Sequence, residues 1–290
     1  MRVLVTIPHF FRKMDAAAYG SERGDTQKRA IALTRVLTSL KQTFGHEQAH
    51  MNALRERCNQ HFSIDIDIVL CTNGDHHLVH LLPNTMFHHR QVECDPRFLG
   101  YECHEVLAKN IGKYDFYCFM EDDLEIRDAL FFVKIKWFTE NTGGGSVLQP
   151  HRFELSYDKP IRKLYIDGRL RNPSWSSRFQ NVDEQPRLNG QVLGVPIVFE
   201  RTENPHSGCF FLSENQMQTW MEQTYFMDRS DAFAGPLESA ASLGLMRTFR
   251  VYKPAPENAA FLEVEHLDCR YLGTQLRFPP EFELASAAIR

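Results

Sequence analysis

Three consecutive carboxylates directly follow the most apolar segment of the chain. Residues 115–120 have the composition of a buried strand, and they continue without a break into Glu121, Asp122 and Asp123. Carboxylates this close repel one another, and they are costly at the end of a buried strand unless a positive group neutralises them. A divalent cation is the natural partner, because Mg²⁺ and Mn²⁺ prefer oxygen ligands. A solvated acidic turn is the simpler interpretation.

The first 125 residues alternate between strand-like and helix-like segments. The predicted strands are residues 3–7, 64–70, 91–94 and 115–120, and the predicted helices are residues 26–40 and 100–110. This alternation predicts an α/β fold in which helices flank a mixed, mostly parallel sheet. Ligands bind such sheets at the carboxyl ends of the strands. The three carboxylates therefore lie where a ligand is expected.

The second half of the chain is less regular. Its expected helices are residues 127–140, 214–223 and 237–245, and its expected strands are residues 147–148, 163–166, 192–199 and 209–212. A polar loop with several prolines is expected before residue 204. Neither an internal repeat nor a low-complexity linker divides the chain, so we expect a single domain over residues 1–290.

Composition narrows the classes of partner and compartment. The 33 Lys and Arg residues against 37 Asp and Glu residues give a net charge of −4, which argues against a nucleic-acid-binding surface. Seven cysteines without a Cys-x-x-Cys pair fit a reducing compartment. We see neither a signal peptide nor a run of roughly 20 apolar residues. A cytoplasmic location is therefore expected, with membrane contact limited to the periphery.

Several short motifs occur together in the first 125 residues. The first strand ends in Thr-Ile-Pro at 6–8, and the next helix carries Arg-Ala-Ile-Ala-Leu at 29–33. Leu-Ala-Lys-Asn-Ile-Gly at 107–112 and Tyr-Asp-Phe at 114–116 precede the acidic triplet 121–123. In this order the motifs resemble those of a nucleotide-sugar glycosyltransferase of the GT-A fold, which is Rossmann-like. The resemblance implies that residues 1–125 bind a nucleotide sugar and that residues 126–290 bind the acceptor.

The resemblance also implies a reaction and a metal site. Such an enzyme would transfer a hexosyl or N-acetylhexosaminyl group from a UDP- or GDP-linked donor to a hydroxyl of a glycan, a lipid-linked acceptor or a small molecule. Its DXD-like motif would hold Mn²⁺ or Mg²⁺ on the diphosphate. Asp123 would be the principal ligand, and Glu121 or Asp122 would lie near the ribose or the metal. His266 is the expected second ligand, although a lone histidine is equally typical of a structural role.

The same resemblance indicates where the nucleotide would bind. Contacts to the nucleotide sugar are expected at the ends of the first two strands and on the helix that precedes the acidic triplet, at Thr6, Pro8, His9, Thr72, Asn73, Asp75 and Lys109. The family usually has an acidic residue after the second strand, and Thr-Asn-Gly stands there in this chain at 72–74. The identity of the base therefore stays open.

The acceptor side of the site is expected in the second half. The loop 204–208 resembles the acceptor-side loop of these enzymes. The resemblance therefore implies that His206, Ser207 and Gly208 lie on the acceptor side of the site. An inverting enzyme needs a general base, for which Asp231 and Glu238 are the candidates, although each could instead serve the start of a helix. The second half is also faintly similar to exostosin-like transferases, which retain the anomeric configuration and would not need this base. Inversion and retention both stay open.

Two other classes of protein compete with this interpretation. His46, Glu47 and His50 match the H-E-x-x-H pattern of a zinc metallohydrolase, in which two histidines on one helical face bind zinc. Gly45 directly before the motif argues against a buried site helix. A non-catalytic sugar-binding module would keep the aromatic residues without needing the acidic triplet. The histidines within 76–89 are interpreted as an exposed loop rather than as a zinc site.

Overall fold

A computed structural model of the chain describes residues 1–13, 25–51, 53–158, 160–170 and 172–272. Within these ranges the structure is mixed α/β with three β-sheets, which confirms the expected α/β class. The last residues of the domain expected over 1–290, 273–290, lie outside the described ranges.

The described residues contain thirteen strands and six α-helices, numbered along the chain. The strands are β1 Arg2–His9, β2 Asp65–Asn73, β3 His88–Val92, β4 Phe116–Met120, β5 Leu124–Glu125, β6 Ser146–Leu148, β7 His151–Leu155, β8 Lys163–Tyr165, β9 Arg187–Val192, β10 Val195–Arg201, β11 Cys209–Ser213, β12 Arg250–Pro254 and β13 Glu263–His266. The helices are α1 Thr26–Phe44, α2 Leu99–Lys109, α3 Phe131–Thr142, α4 Ser174–Ser177, α5 Glu214–Met221 and α6 Pro236–Thr248. Among these helices, none is long and apolar enough to cross a membrane.

The largest sheet has five strands in the order β3-β2-β1-β4-β11. The first four are parallel to one another, and β11 is antiparallel to β4 at the edge. The sheet is therefore mostly parallel, as the alternation of the first half predicted. The carboxyl ends of β1, β2 and β4 lie at the same edge of the sheet as the amino end of β11. This edge collects His9, Asn73, the acidic triplet and the loop before Cys209.

Both faces of this sheet are covered, and the alternation along β4 shows how. Phe116, Cys118 and Met120 belong to a core with side chains of α1 and α3, whereas Tyr117 and Phe119 belong to a second core with α2, α5 and α6. All five residues of β4 are buried. Because a strand covered on both faces has no polar side, it reads as a continuous apolar run in the sequence.

Helix α1 places a charged residue at the end of its buried face. Its first turn is capped by Asp25, whose carboxylate accepts the backbone N–H of Gln27 at 2.7 Å. Leu33, Val36 and Leu40 then recur at helical spacing and are fully buried. Arg29 precedes Leu33 by four residues, so it lies on the same face, one turn closer to the carboxyl-end edge of the sheet.

Two smaller sheets complete the second half. One has the order β6-β12-β10-β9, and the other has the order β5-β13-β7-β8. In the latter, His266 of β13 pairs with Leu124 of β5, and the backbone N–H of Leu267 donates to the carbonyl oxygen of Asp123 at 2.9 Å. The late part of the chain is therefore joined to the acidic triplet by backbone hydrogen bonds.

Several expected elements of the second half need correction. The single strand expected over 192–199 is the hairpin of β9 and β10, with a turn at Leu193 and Gly194 whose φ angles are +50° and +80°. The helix expected from residue 127 begins at Phe131. Strands β7, β12 and β13 were not predicted, because each carries charged residues among its apolar ones. In the first half, β1 does not end before Pro8 but continues to His9. Strand β4 pairs with β1 only as far as Thr6, so Pro8 lies beyond the pairing with β4.

A close contact between α5 and α6 gives a test of this packing. A Cβ atom on Gly244 would overlap the indole ring of Trp220, which is 3% exposed. Replacing a glycine inside a helix by alanine usually stabilises a protein by roughly 1 kcal/mol. Here we expect Gly244→Ala to lower the free energy of unfolding by about 1–3 kcal/mol, because the indole must move. Urea denaturation followed by circular dichroism measures the change.

Gly144→Ala is the matched control, because no described residue other than Gly144 and its two neighbours has an atom within 4 Å of a Cβ built there. It should change the free energy of unfolding by less than about 0.5 kcal/mol. An increase in stability for Gly244→Ala would contradict the described packing of Trp220.

Candidate functional site

A cavity of about 290 Å³ opens at the carboxyl-end edge of the five-stranded sheet. Its charged and imidazole-bearing lining residues come from both halves of the chain: Arg29, Arg97, Glu121, Asp122, Asp123, Arg152, His206, Glu238, His266, Asp268 and Arg270. Acidic and basic side chains therefore face one another across a small volume. The acidic triplet forms one part of this wall, directly after β4.

Asp122 is held from both sides by groups of the protein. The backbone N–H of Leu78 donates to Nε2 of His9 at 3.1 Å, so Nδ1 carries the proton of a neutral His9 ring and donates to Asp122 at 2.6 Å. Arg29 donates to the other carboxylate oxygen of Asp122. His9 is fully buried. Asp122 is therefore an internal anchor between β1 and α1.

Asp123 is bonded on one oxygen only. Nη1 of Arg29 donates to Oδ2 at 3.0 Å, whereas no group of the described residues bonds the buried Oδ1. Burial raises the pKa of Asp123, but the nearby Arg29 and His266 more than offset this effect and hold the pKa below its usual value. Burial likewise opposes the charge of Arg29, but Asp122 and Asp123 raise its pKa. Arg29 is thus the cation that balances this acidic pair.

Glu121 has looser neighbours. Nη1 of Arg152 lies 3.8 Å from Oε2, and Nε2 of His206 lies 4.0 Å from Oε1. Burial raises the pKa of Glu121 to about 7, with Arg152 lowering it and Asp123 raising it. Gly208 has a φ of +63°, and a Cβ atom there would overlap the Glu121 carboxylate. A side chain at this position would have a strained backbone conformation and would displace the Glu121 carboxylate.

His266 lies opposite Asp123 and is fixed by a buried carboxylate. Its Nδ1 lies 2.8 Å from Oε1 of Glu154, and its Nε2 lies 3.9 Å from Oδ2 of Asp123. Glu154 is fully buried, and it also accepts the backbone N–H groups of Tyr271 and Leu272 at 3.2 and 2.8 Å. Burial lowers the pKa of His266, but the bond to Glu154 and the charge of Asp123 raise it overall.

A second buried carboxylate holds Arg152. Asp167 accepts the Nε and backbone N–H groups of Arg152, both at 2.9 Å, and Nζ of Lys253 at 3.0 Å. Lys253 also donates to the carbonyl oxygen of His206 at 2.9 Å. Burial raises the pKa of Asp167, yet Arg152 and Lys253 hold it far below its usual range. Asp167 thus fixes both Arg152 and the loop that carries His206.

The expected site residues divide into two groups in the structure. Pro8, Glu121, Asp122, Asp123, His206, Glu238 and His266 line the cavity. Gly208 lies against Glu121, and His9 supports Asp122 from behind. Ser207 is buried and donates to the carbonyl oxygen of Pro150 at 2.8 Å. The loop 204–208 therefore lies beside Glu121 of the acidic triplet.

Six other expected residues do not line the cavity either. Thr6 donates to the carbonyl oxygen of Cys118 at 3.0 Å, inside the sheet. Thr72 is hydrogen-bonded to His89 at 2.8 Å, and Asn73 donates to the carbonyl oxygen of Cys94. Both side chains therefore form hydrogen bonds to residues in β3 or just after it.

The remaining members of this group are Asp75, Lys109 and Asp231, which are exposed. Lys109 pairs with Glu105 at 2.8 Å along α2. Of the two candidate bases, Glu238 thus reaches the cavity wall and Asp231 does not.

Sequence reasoning missed the residues that hold this site in place, Arg29, Arg152, Glu154, Asp167 and Lys253. Arg152 and Glu154 stand two residues apart in β7 and face the same side, which is the spacing of one face of a strand. That spacing was a usable signal. Charged residues usually face water, however, so the pattern is easily interpreted as an exposed edge.

The H-E-x-x-H pattern has a different geometry from the one that zinc requires. Helix α1 ends at Phe44, so His46, Glu47 and His50 do not lie on one helical face. His46 is bonded to Asp65 at 2.9 Å. In the part of the chain that the structure describes, no group of three or more His, Cys, Asp or Glu side chains is arranged to hold a metal ion.

Comparison with known proteins does not assign a family. No protein-family model matches the chain, and no curated protein matches it.

The Asp167 network predicts a pH-dependent stability difference. A carboxyl group whose pKa is lowered by folding contributes stability above its unfolded pKa of 3.8 and loses it as the pH falls. At pH 7, Asp167→Asn should lower the free energy of unfolding by about 3–5 kcal/mol, because Arg152 and Lys253 lose their buried counterion. The difference from the wild type should shrink as the pH falls below about 4. Urea denaturation at pH 7, 5, 4 and 3 measures it.

Asp183→Asn is the control for this series, because Asp183 is an exposed aspartate. Its stability should follow that of the wild type at each pH. A deficit for Asp167→Asn that stays constant from pH 7 to 3 would show that Asp167 is not the ionised partner.

Proposed function

We propose that the chain is a glycosyltransferase of the GT-A fold that transfers a sugar from a nucleoside diphosphate to a hydroxyl acceptor with the help of Mn²⁺ or Mg²⁺. The observation that carries the proposal is the arrangement at Asp123. Its buried Oδ1 has no bond from the described residues, and His266 approaches the same carboxylate with Nε2. Both residues line the cavity at the carboxyl end of β4.

The residues present fit a divalent cation that is shared with a substrate. Mg²⁺ is usually held by one or two carboxylates together with substrate phosphates and water, not by a complete cage of protein ligands. Asp123 supplies a free carboxylate oxygen and His266 a ring nitrogen. The bond from Nδ1 of His266 to Glu154 has the form of the outer contact that orients a metal-binding histidine. Asp123 and His266 would hold the cation, and Arg29 and Glu154 would orient them.

The fold supports the same proposal. Four parallel strands with an antiparallel fifth beside β4 place the acidic triplet at the edge where α/β sheets bind ligands. Loops from the second half, including those with His206 and Glu238, close the other side of the cavity. A donor held by the acidic triplet would therefore face residues of the second half.

The chemistry of the proposed reaction can be assigned to particular side chains. A bound cation would offset the negative charge that develops on the departing diphosphate. Arg29 donates to both Asp122 and Asp123 and orients their carboxylates before any ligand arrives. In an inverting reaction Glu238 would take the proton of the acceptor hydroxyl, because it is the candidate base on the cavity wall. A retaining reaction would leave Glu238 as an acceptor-binding residue.

Asp123→Asn tests the metal and nucleotide site. We expect the wild type to bind UDP or GDP more tightly with Mn²⁺ than without it. The variant should weaken the Mn²⁺-dependent part by at least about 10–100-fold, which is the loss that follows removal of even an outer partner of a metal ligand. Isothermal titration calorimetry with each nucleotide, with and without Mn²⁺, measures the affinities. Thermal shift shows whether bound nucleotide stabilises the native state.

Asp183→Asn is again the matched control, and it should bind like the wild type. If Mn²⁺-dependent nucleotide binding is equally strong in Asp123→Asn, the proposed metal site is wrong. If the wild type binds simple sugars but no nucleotide under any metal condition, the sugar-binding module replaces the transferase as the better proposal.

A further inference from the structure

Glu121, Arg152 and His206 form one corner of the cavity. In this corner two pairs of polar groups are close together but not hydrogen-bonded. Nη1 of Arg152 and Oε2 of Glu121 are 3.8 Å apart, and Nε2 of His206 and Oε1 of Glu121 are 4.0 Å apart. A direct N–H···O hydrogen bond needs about 2.7–3.2 Å. All three side chains line the cavity. Each gap is too long for a direct bond and short enough for one oxygen atom to contact both groups.

The donors and acceptors around these gaps match a hydroxyl group. A guanidinium only donates hydrogen bonds, and an ionised carboxylate only accepts them. A hydroxyl does both, so it can donate to Glu121 while it accepts from Arg152. His206 adds a ring nitrogen on the other oxygen of Glu121. Burial and the charge of Arg152 hold the pKa of His206 well below its usual value, so the ring is neutral and fits a second hydroxyl.

The balance of charge favours a neutral group over an anion. Arg152 and Lys253 supply two positive charges, Asp167 supplies one negative charge, and Glu121 supplies a second when its carboxyl group is ionised. Asp167 already bonds Arg152 at 2.9 Å through Nε and through the backbone N–H. A carboxylate placed between Arg152 and Glu121 would meet the negative charge of Glu121 at close range. A sugar hydroxyl introduces no such charge.

We propose that Arg152, Glu121 and His206 form a subsite that binds hydroxyl groups of a neutral donor sugar, with Asp167 as the residue that positions Arg152. This inference rests on the proposed function, because it takes the donor to be a nucleotide sugar held at Asp123. Asp167 also reaches His206 through Lys253, which donates to the His206 carbonyl oxygen. The buried carboxylate of Asp167 therefore positions both Arg152 and the backbone of His206.

Calorimetric titrations with Mn²⁺ test the subsite in the full chain. The probes are UDP, GDP, UDP-glucose, UDP-galactose, GDP-mannose and UDP-glucuronate. For the neutral nucleotide sugar that the wild type binds best, Arg152→Met should weaken binding by about 10–100-fold, the contribution of a hydrogen bond to a charged group. Binding of the matching free nucleotide should change less than about threefold, since this corner does not contact it.

Glu121→Gln provides a second variant of nearly equal volume, and it should cause the same selective loss. Asp167→Asn retains Arg152 but loosens it, so it should reduce binding of the nucleotide sugar more than binding of the nucleotide. A merely structural role of Asp167 would weaken both ligands equally. Arg187→Met is the control, because Arg187 lies on β9 and pairs with Glu200 and Glu257 away from the cavity.

Three results would overturn the subsite. Equal losses for nucleotide and nucleotide sugar in Arg152→Met would mean that Arg152 binds phosphate or only supports the fold. Tighter wild-type binding of UDP-glucuronate than of UDP-glucose would mean that this corner selects an anion. Nucleotide-sugar binding unchanged in both Arg152→Met and Glu121→Gln would remove the subsite while leaving the proposed function intact. Failure of the wild type to bind any probe would instead refute the proposed function and this inference together.

Discussion

The bond from Arg29 to Asp122 and Asp123 is the interaction on which the cavity depends. Carboxylates at the end of a fully buried strand are costly unless a counter-charge reaches them. The apolar face of α1, with Leu33 and Val36 in the core, brings Arg29 to this point. Packing of the helix and neutralisation of the acids are therefore one event: loss of the helix from the sheet would leave two buried charges unpaired.

The same neutralisation divides the acidic triplet into different roles. Both carboxylate oxygens of Asp122 accept hydrogen bonds, one from His9 and the other from Arg29, so Asp122 is poorly placed to bind a ligand as well. Asp123 shares one oxygen with Arg29, and no described residue forms a hydrogen bond to the other. Glu121 faces Arg152 without a hydrogen bond. Three adjacent acids therefore present an anchor, a candidate metal ligand and a group open to substrate, a distinction that depends on their neighbours and not on their chemistry.

How much of the fold and of the candidate site could be predicted from the sequence depends on which side chains each strand buries. Strand β4 buries apolar side chains on both faces, so its sequence shows a strand, and the position of the triplet after it follows. Strand β7 buries Arg152 and Glu154 instead, and such charges are typical of a surface. Their burial is stable only because Asp167 and His266, distant in sequence, pair with them. The spacing of Arg152 and Glu154 along β7 shows that they share a face, but it does not show which distant residues pair with them. The position of the triplet was therefore predictable, and its supporting partners were not.

The partners share one design. Glu154 holds His266, and Asp167 holds Arg152. Glu154 also accepts two backbone N–H groups, and Asp167 accepts one. Apolar replacements for buried ion pairs are often neutral or stabilising, so stability alone is a weak reason to keep two such networks beside one cavity. Fixed orientation is a better reason, because a polar site acts most strongly when its dipoles and charges need not reorganise as a ligand binds. We therefore interpret the buried charges behind the cavity as the support that keeps His266 and Arg152 aimed at a ligand.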